Sequence, residues 1–341
     1  MKVLAFALLI GVALQASGAS PKPNVLLIMA DDLRDFGGAF TRDVVKAPNI
    51  DRLRARGTVF ERAYVQYPVC NPSRCSMLTG LRAEQTGIVG NDMALRQVLP
   101  EIVTLPRLCK DNGWHAAAFG KIFHLGGRRR PWVLAATAKR LGNSPNANGE
   151  LFRAYCAGTS FMDSQVGRVL DELDRRQLWE RTIVIFVGDH GYHTGERKWW
   201  NKNTLFERSC RAPLIIAAPG MKGGQTTRSL VEFVDLYPTV AALCGLSTPH
   251  TMAGRDLKPI LQDPAASVKD AAFTLVSRGP NLRGQSIRMA RWRCTRWSDG
   301  QTELYDHDAD PEELHNVAAT NPGVVQQLAE KIGALPPLKT Q

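Results

Sequence analysis

The chain has 341 residues, 44% apolar and 22% charged, with a formal net charge of +11. That length and balance exclude an intrinsically disordered chain, leave ample core for a layered domain, and show no fixed-period repeat. The positive charge suits an anionic ligand by steering. The densest basic run, at 128–130, has no motif or interleaved aromatics beside it, so no nucleic-acid partner is expected.

Residues 1–20 read as a secretory signal: Lys2 is followed by an apolar stretch at 3–14 and by small residues at 16–19. No other run is long enough to span a bilayer, so a periplasmic or secreted protein without stable membrane insertion is expected after cleavage.

Residues 24–30 are a continuous apolar run, the pattern of a strand buried on both faces, and the run ends at Asp31-Asp32. Residues 48–57 predict a short helix with Pro48 at its start and Gly57 after its end. Strand character returns at 58–65, a helix closed by glycine is predicted over 104–113, and another strand over 114–119. Helical spacing runs through 150–176, taking in Phe152, Tyr155, Phe161 and Val166. A second fully apolar strand, 182–187, ends at Gly188-Asp189-His190, a third covers 213–217, and 230–246 reads mainly as helix. From about 271 the pattern changes to short strands and a closing helix near 322–332.

Alternating strands and helices predict a three-layer α/β sandwich around a mixed, largely parallel sheet, with a small C-terminal α+β subdomain. The expected division is a catalytic α/β domain over 21–270, after the signal, and an antiparallel sheet plus helix over 271–341.

Seven cysteines in an exported chain leave one unpaired; setting Cys70 aside leaves six, either disulfide-bonded or buried as thiols. Cys70 lies in Cys70-Asn71-Pro72-Ser73-Arg74, a sulfur on a proline-stiffened turn four residues before a guanidinium, and Leu78-Thr79-Gly80 follows. Asp31-Asp32 and Asp189-His190 both end strands, where open α/β sheets gather ligands. Three converging carboxylates repel unless a cation neutralises them, and a hard ion with oxygen ligands, Ca²⁺ ahead of Mg²⁺, suits them best, although the histidine tilts the set toward softer metals.

Taken in order, Asp31-Asp32, Ala47 to Asp51, Cys70 to Gly80, Gly120-Lys121-Ile122-Phe123-His124, Gly188-Asp189-His190-Gly191, Gly195-Glu196 and Lys202 resemble the sulfatase family, of alkaline-phosphatase-like fold, and within it the iduronate-2-sulfatase-like group. The resemblance implies a sulfuric ester hydrolase acting on sulfated carbohydrate. It implies that a maturation enzyme converts Cys70 to formylglycine (3-oxoalanine), whose hydrated form attacks sulfur. Asp31, Asp32, Asp189 and His190 would hold Ca²⁺ that also touches residue 70. Arg74 and Lys121 would hold the nucleophile, His124 would contact it and move protons, and Lys202 would bind sulfate oxygens. His193, three residues past the metal pair, is read either as a pocket-lining substrate contact or as an exposed loop histidine. The alternatives are a catalytically impaired homologue that binds sulfated glycans and, behind it, a phosphoester hydrolase of the same fold.

One departure stands out. Relatives carry a long segment after the Gly-Lys-x-x-His block, with an apolar strand and a His-x-Pro-His type motif that helps the leaving group depart. Here residues 125–149 bridge the gap with no histidine. Such a chain is a minimal variant, an inactive relative or the product of an internal deletion; a missing general acid commonly costs about 10²–10⁴ in rate.

Overall fold

The computed structural model describes residues 22–35, 44–124, 147–279 and 281–339. The expected signal and most of the short 125–149 bridge therefore lie outside the described residues. Among those described, no helix is long and apolar enough to cross a membrane.

The central sheet has five strands in the order β1 (Asn24–Ala30), β4 (Thr182–Gly188), β7 (Leu214–Ala217), β2 (Thr58–Phe60), β8 (Gln225–Thr227). Its pairings are evenly mixed: β1 with β4 and β2 with β8 are parallel, while β4 with β7 and β7 with β2 are antiparallel. All seven residues of β4 are buried, as a continuous apolar run requires. Its side chains alternate between two cores. Ile183, Ile185 and Val187 join Met77, Leu78, Leu236 and Val240 on one face. Val184 and Phe186 meet Ile50, Leu53, Val166 and Leu170 on the other. Helices thus cover both faces: α1 (Pro48–Arg56) and the long helix Ala147–Arg175 on one side, α2 (Cys70–Thr79) and the helix Leu236–Leu243 on the other. Burying one such aliphatic side chain is worth about 1.5–3 kcal/mol.

The C-terminal part is a four-stranded antiparallel meander, β10 (Ala272–Arg278), β11 (Leu282–Arg288), β12 (Trp292–Trp297) and β13 (Thr302–Asp306). The final helix, Pro322–Gly333, packs Leu328 and Ile332 against Ile287, Cys294 and Leu304. The meander is tied to the sandwich where Leu275 N donates to Gln66 O at 2.9 Å and Thr274 Oγ1 to Val65 O at 2.7 Å.

Several expectations are corrected. Residues 114–119 form no strand; residues 115–119 are exposed, Phe119 by 88%. β1 is the terminal strand of the sheet, so no ladder forms beside it for this segment among the described residues. The 58–65 stretch divides into β2 and β3 (Ala63–Tyr64), and the helix foreseen over 230–246 begins only at Leu236, after β9 (Val231–Glu232). All seven cysteines are free thiols, five of them buried, which excludes the disulfide alternative.

Candidate active site

The register of β1 on β4 builds the site. Ala30 lies opposite Gly188, and Asp189 N continues the ladder by donating to Ala30 O at 3.0 Å. Asp31 and Asp189 therefore leave adjacent strands at the same level. Asp32 follows with φ 57°, a left-handed backbone uncommon for a residue with a side chain, and its N donates to Asp189 Oδ1 at 3.0 Å. Tyr155 of the long helix holds this turn by donating to Asp32 O at 2.6 Å and accepting from Arg34 N at 2.9 Å.

Cys70 opens α2, whose residues are all buried. Its sulfur thus stands at the end of a helix where unpaired N–H groups favour negative charge. The turn is fixed by Asn71, whose side chain donates to Gly90 O and Met93 O, and by Ser73, whose hydroxyl donates to Asp189 O. The helix ends at Gly80, whose φ of 69° is the left-handed conformation that glycine adopts without cost.

Arg74, one turn on, is 1% exposed. Its Nε donates to Asp189 Oδ2 at 2.9 Å, its Nη2 to Asp31 Oδ1 at 3.1 Å, and its Nη1 to the backbone oxygen of Lys121. Lys121 Nζ closes the ring on Asp31 Oδ1 at 2.6 Å. From the opposite side, Lys202 Nζ donates to Cys70 Sγ at 3.0 Å, lies 3.1 Å from His190 Nε2 and bonds Asp32 Oδ1. His190 Nε2 is 3.4 Å from Cys70 Sγ, and its Nδ1 bonds Gly191 O. Lys202 arrives on a hairpin of β5 (His193–Thr194) and β6 (Trp200–Asn201).

The charges explain the titration. Burial, and then the charges of Asp189 and Asp32, raise the Asp31 carboxyl above its ordinary value. For Asp189, burial is outweighed by His190 and Arg74, which hold it well below the carboxylate range. Burial also opposes ionisation of Asp32, but bonding from His190 and the Lys202 charge bring it to about 2. At His190, burial works against the charged ring and Asp189 overcomes it, raising the ring to about 10.

This donor set fits a divalent cation. Single ligand atoms of Asp32, Cys70 and His190, and of Asp31, Cys70 and Asp189, lie within 4.8 Å of one another. The carboxylate crowding that raises Asp31 is what a hard cation relieves. A cation held by His190 would displace a proton from its ring.

Of the predicted residues, Asp31, Asp32, Cys70, Arg74, Lys121, Asp189, His190 and Lys202 converge. His124 stands at their border: burial, then Lys121, lowers its pKa, and its buried Nδ1 has no hydrogen-bond partner among the described residues. His193 is neither exposed nor in contact with this group through its bonded nitrogen. It is 0% exposed, its Nε2 pairs with Thr204 Oγ1 at 2.8 Å, and burial lowers it to about 4. Tyr155 and Asn71 are functional supports that sequence reasoning missed. Asn71 sits inside the Cys70 motif, whereas Tyr155 reads as one more apolar helix position.

Acidic strand ends, a sulfur at a helix start and cations turned onto it define a hydrolytic site for an anionic ester. The chain belongs to the sulfatase family, whose model matches residues 23–130 and 131–246; a model described as N-sulphoglucosamine sulphohydrolase, C-terminal, matches 195–336. It is a sulfuric ester hydrolase. A sulfatase of Formosa agariphila is 26% identical over 425 positions, covering 87% of this chain and 83% of the relative. Human iduronate 2-sulfatase is 23% identical, with 90% and 93% covered. The structure of BT4656 in complex with its substrate D-glucosamine-2-N,6-O-disulfate superposes with a TM-score of 0.76 at 18% identity, covering 94% of this chain and all of that one. The 425 aligned positions exceed the 341 residues of this chain, so the Formosa relative carries residues that this one lacks. The family match itself breaks between 130 and 131.

Proposed function

We propose that this sulfatase releases sulfate from a sulfated carbohydrate, with residue 70 acting as formylglycine after conversion of its cysteine by a maturation enzyme. A divalent cation, Ca²⁺ ahead of Mg²⁺, would be held by Asp31, Asp32, Asp189, His190 and residue 70. The carbohydrate class is supported by relatives described as iduronate 2-sulfatase and as a protein with a glucosamine disulfate substrate. The net charge of +11 suits such a polyanion. An exported location is part of the same reading and rests on the signal-like residues 1–20.

The single observation that carries the proposal is the placement of Cys70 Sγ 3.0 Å from Lys202 Nζ and 3.4 Å from His190 Nε2, at the start of α2. When present, the modified residue supplies an oxygen nucleophile and the cation supplies positive charge for it and for the transferring group. The chain's own residues do the rest. Lys202 stands where a sulfate oxygen would approach residue 70, and its donors stabilise charge that grows in the transition state. Arg74 locks Asp31 and Asp189 together, and Lys121 shares the Asp31 oxygen that Arg74 holds. His124, whose pKa burial and then Lys121 lower, would take a proton at its buried Nδ1, which has no hydrogen-bond partner among the described residues. His193 has no place in this set: its neutral ring braces Thr204, two residues after Lys202.

The test is turnover of an aryl sulfate and the matching aryl phosphate by matured protein and by Cys70→Ala. Sulfate release that vanishes in the variant supports the proposal. Preferential phosphate hydrolysis, or activity indifferent to the substitution, defeats it.

A further inference from the structure

The sandwich and the C-terminal sheet meet over an arginine-rich cavity of about 470 Å³, in which Arg62, Arg208, Arg211, Arg228 and Arg288 share the wall with four carboxylates, those of Glu61, Glu207, Asp308 and Glu312. None of the residues gathered around Cys70 lines it. The short helix Glu207–Cys210 divides the two places. The backbone oxygens of Arg208 and Arg211 pack on Gly191, beside His190, so closely that a Cβ there would collide with both. The side chains of the same two arginines line the cavity on the other side.

Most of these cations are already answered. Arg208 pairs with Glu312, and Arg211 with Asp35 at 3.2 Å and Glu207 at 3.4 Å. Glu207 also takes Arg288 at 3.2 Å and Arg293 at 2.5 Å, so one carboxylate serves three guanidiniums. Asp308 at the rim is held from outside by Arg291, and His307 is bonded to Glu313. Arg228 reaches Glu61 only at 3.8 Å, with its side chain 75% exposed.

Arg62 differs from these. It has no carboxylate partner among the described residues, although it is half-buried and faces Arg288 and Arg228. Burial lowers its pKa below that of a free guanidinium, with Tyr64 opposing this, Arg288 and Arg228 adding to it and the charge of Glu207 opposing it, and the group stays charged at any physiological pH. Its backbone is pinned: Glu61 N donates to Thr227 O and Val231 N to Arg62 O, both at 3.0 Å. The neighbours Phe60 and Ala63 are buried, so the backbone keeps the Arg62 side chain rooted at this wall. A half-buried cation with no carboxylate partner of its own and two guanidiniums nearby is favoured when an anion joins it.

We propose that this cavity is a second anion-binding site, separate from the catalytic one, in which Arg62, Arg228 and Arg288 receive an oxyanion. The oxyanion is carried either by an anionic sugar unit remote from the ester being cleaved or by inorganic sulfate, and the volume admits both.

The test is calorimetric titration of the full-length chain with inorganic sulfate and, separately, with a heparin tetrasaccharide, comparing parent, Arg62→Gln and Arg228→Gln. Arg228 is exposed, so its variant folds even if the half-buried position does not accept glutamine, and melting temperatures check both. The expected result is about a tenfold loss of affinity in Arg62→Gln and a smaller loss in Arg228→Gln, each shrinking as salt is raised. Loss for the tetrasaccharide alone assigns the oxyanion to the sugar, and loss for both probes makes free sulfate a ligand. Folded variants that bind both probes as the parent does overturn the proposal. Because binding is read rather than turnover, that outcome leaves the role of Cys70 standing.

Discussion

The Lys202 ammonium donates to the Cys70 sulfur at 3.0 Å although the two residues lie 132 positions apart. The hairpin of β5 and β6 delivers the lysine, and α2 delivers the sulfur. The lysine's affinity for its proton is raised: burial opposes this, but Asp32 and then Cys70 outweigh it. It therefore meets an incoming sulfate fully charged. Replacing Lys202 with alanine is expected to lower kcat/KM on an aryl sulfate about 10²–10³-fold, the scale seen when one preorganised donor is removed. Steady-state kinetics check this, and a change confined to KM would show that the lysine serves binding alone.

Arg74 is the keystone of the acidic cluster, bridging Asp31 and Asp189 while almost fully enclosed. Arg74→Ala removes the buried guanidinium that bridges the two carboxylates, leaving Asp31 to Lys121 and Asp189 to His190. A loss of about 3–5 kcal/mol in unfolding free energy is expected by urea denaturation. Arg74→Lys keeps the charge but not the fork, so it should fall between the two. Equal stability of all three proteins would contradict the assignment.

The donor set around Asp32, His190 and residue 70 predicts a thermal response to cation. Chelation followed by Ca²⁺ at 100 times its dissociation constant should restore about 2.7 kcal/mol of stability through binding to the folded state alone. Asp32→Ala should abolish that response in a melting experiment. A full Ca²⁺ response in Asp32→Ala would place the ion elsewhere.

His193 gives the acid limb of the stability profile a definite sign. Its folded-state value is about 4, lowered chiefly by burial, with Arg34 and Arg208 adding to that and Glu196 and Glu313 opposing it. The unfolded chain takes up the proton near the ordinary value of about 6.5. Between the two, the unfolded state binds more protons, so stability present above about pH 6.5 is lost as pH falls toward 4. The full loss from this group is about 3 kcal/mol. Urea midpoints of parent and His193→Gln across that range should converge at acid pH, and parallel curves would refute the assignment.

The strands that carry Asp31 and Asp189 were legible because a strand buried on both faces leaves an unbroken apolar run. Once their ends are known, the convergence of the two acidic motifs follows from sheet register. Cys70, Arg74 and Lys202 were legible only through the ordered motifs, since the approach of Lys202 to the start of α2 depends on a hairpin of two-residue strands with no periodicity to read. Other features were hidden for physical reasons. Tyr155 obeys helical apolar spacing, yet its hydroxyl ties Asp32 to the long helix. His193 sits in a two-residue strand, too short for alternation to reveal its facing. Residues 114–119 have the composition of a strand, but a strand is completed by its neighbours, and β1 stands at the sheet's edge. Arg62 escaped notice because an unpaired charge is visible only after every partner has been placed.

The central claim is that Cys70 is the precursor of the nucleophile, and mass analysis of the proteolytic peptide spanning it tests this most directly. Protein made in a host with the maturation machinery should yield a peptide in which residue 70 has lost its sulfur and two hydrogens and gained one oxygen, and the sulfate-releasing activity should rise with that fraction. A preparation that hydrolyses sulfate esters while Cys70 remains an unmodified thiol throughout would contradict the account.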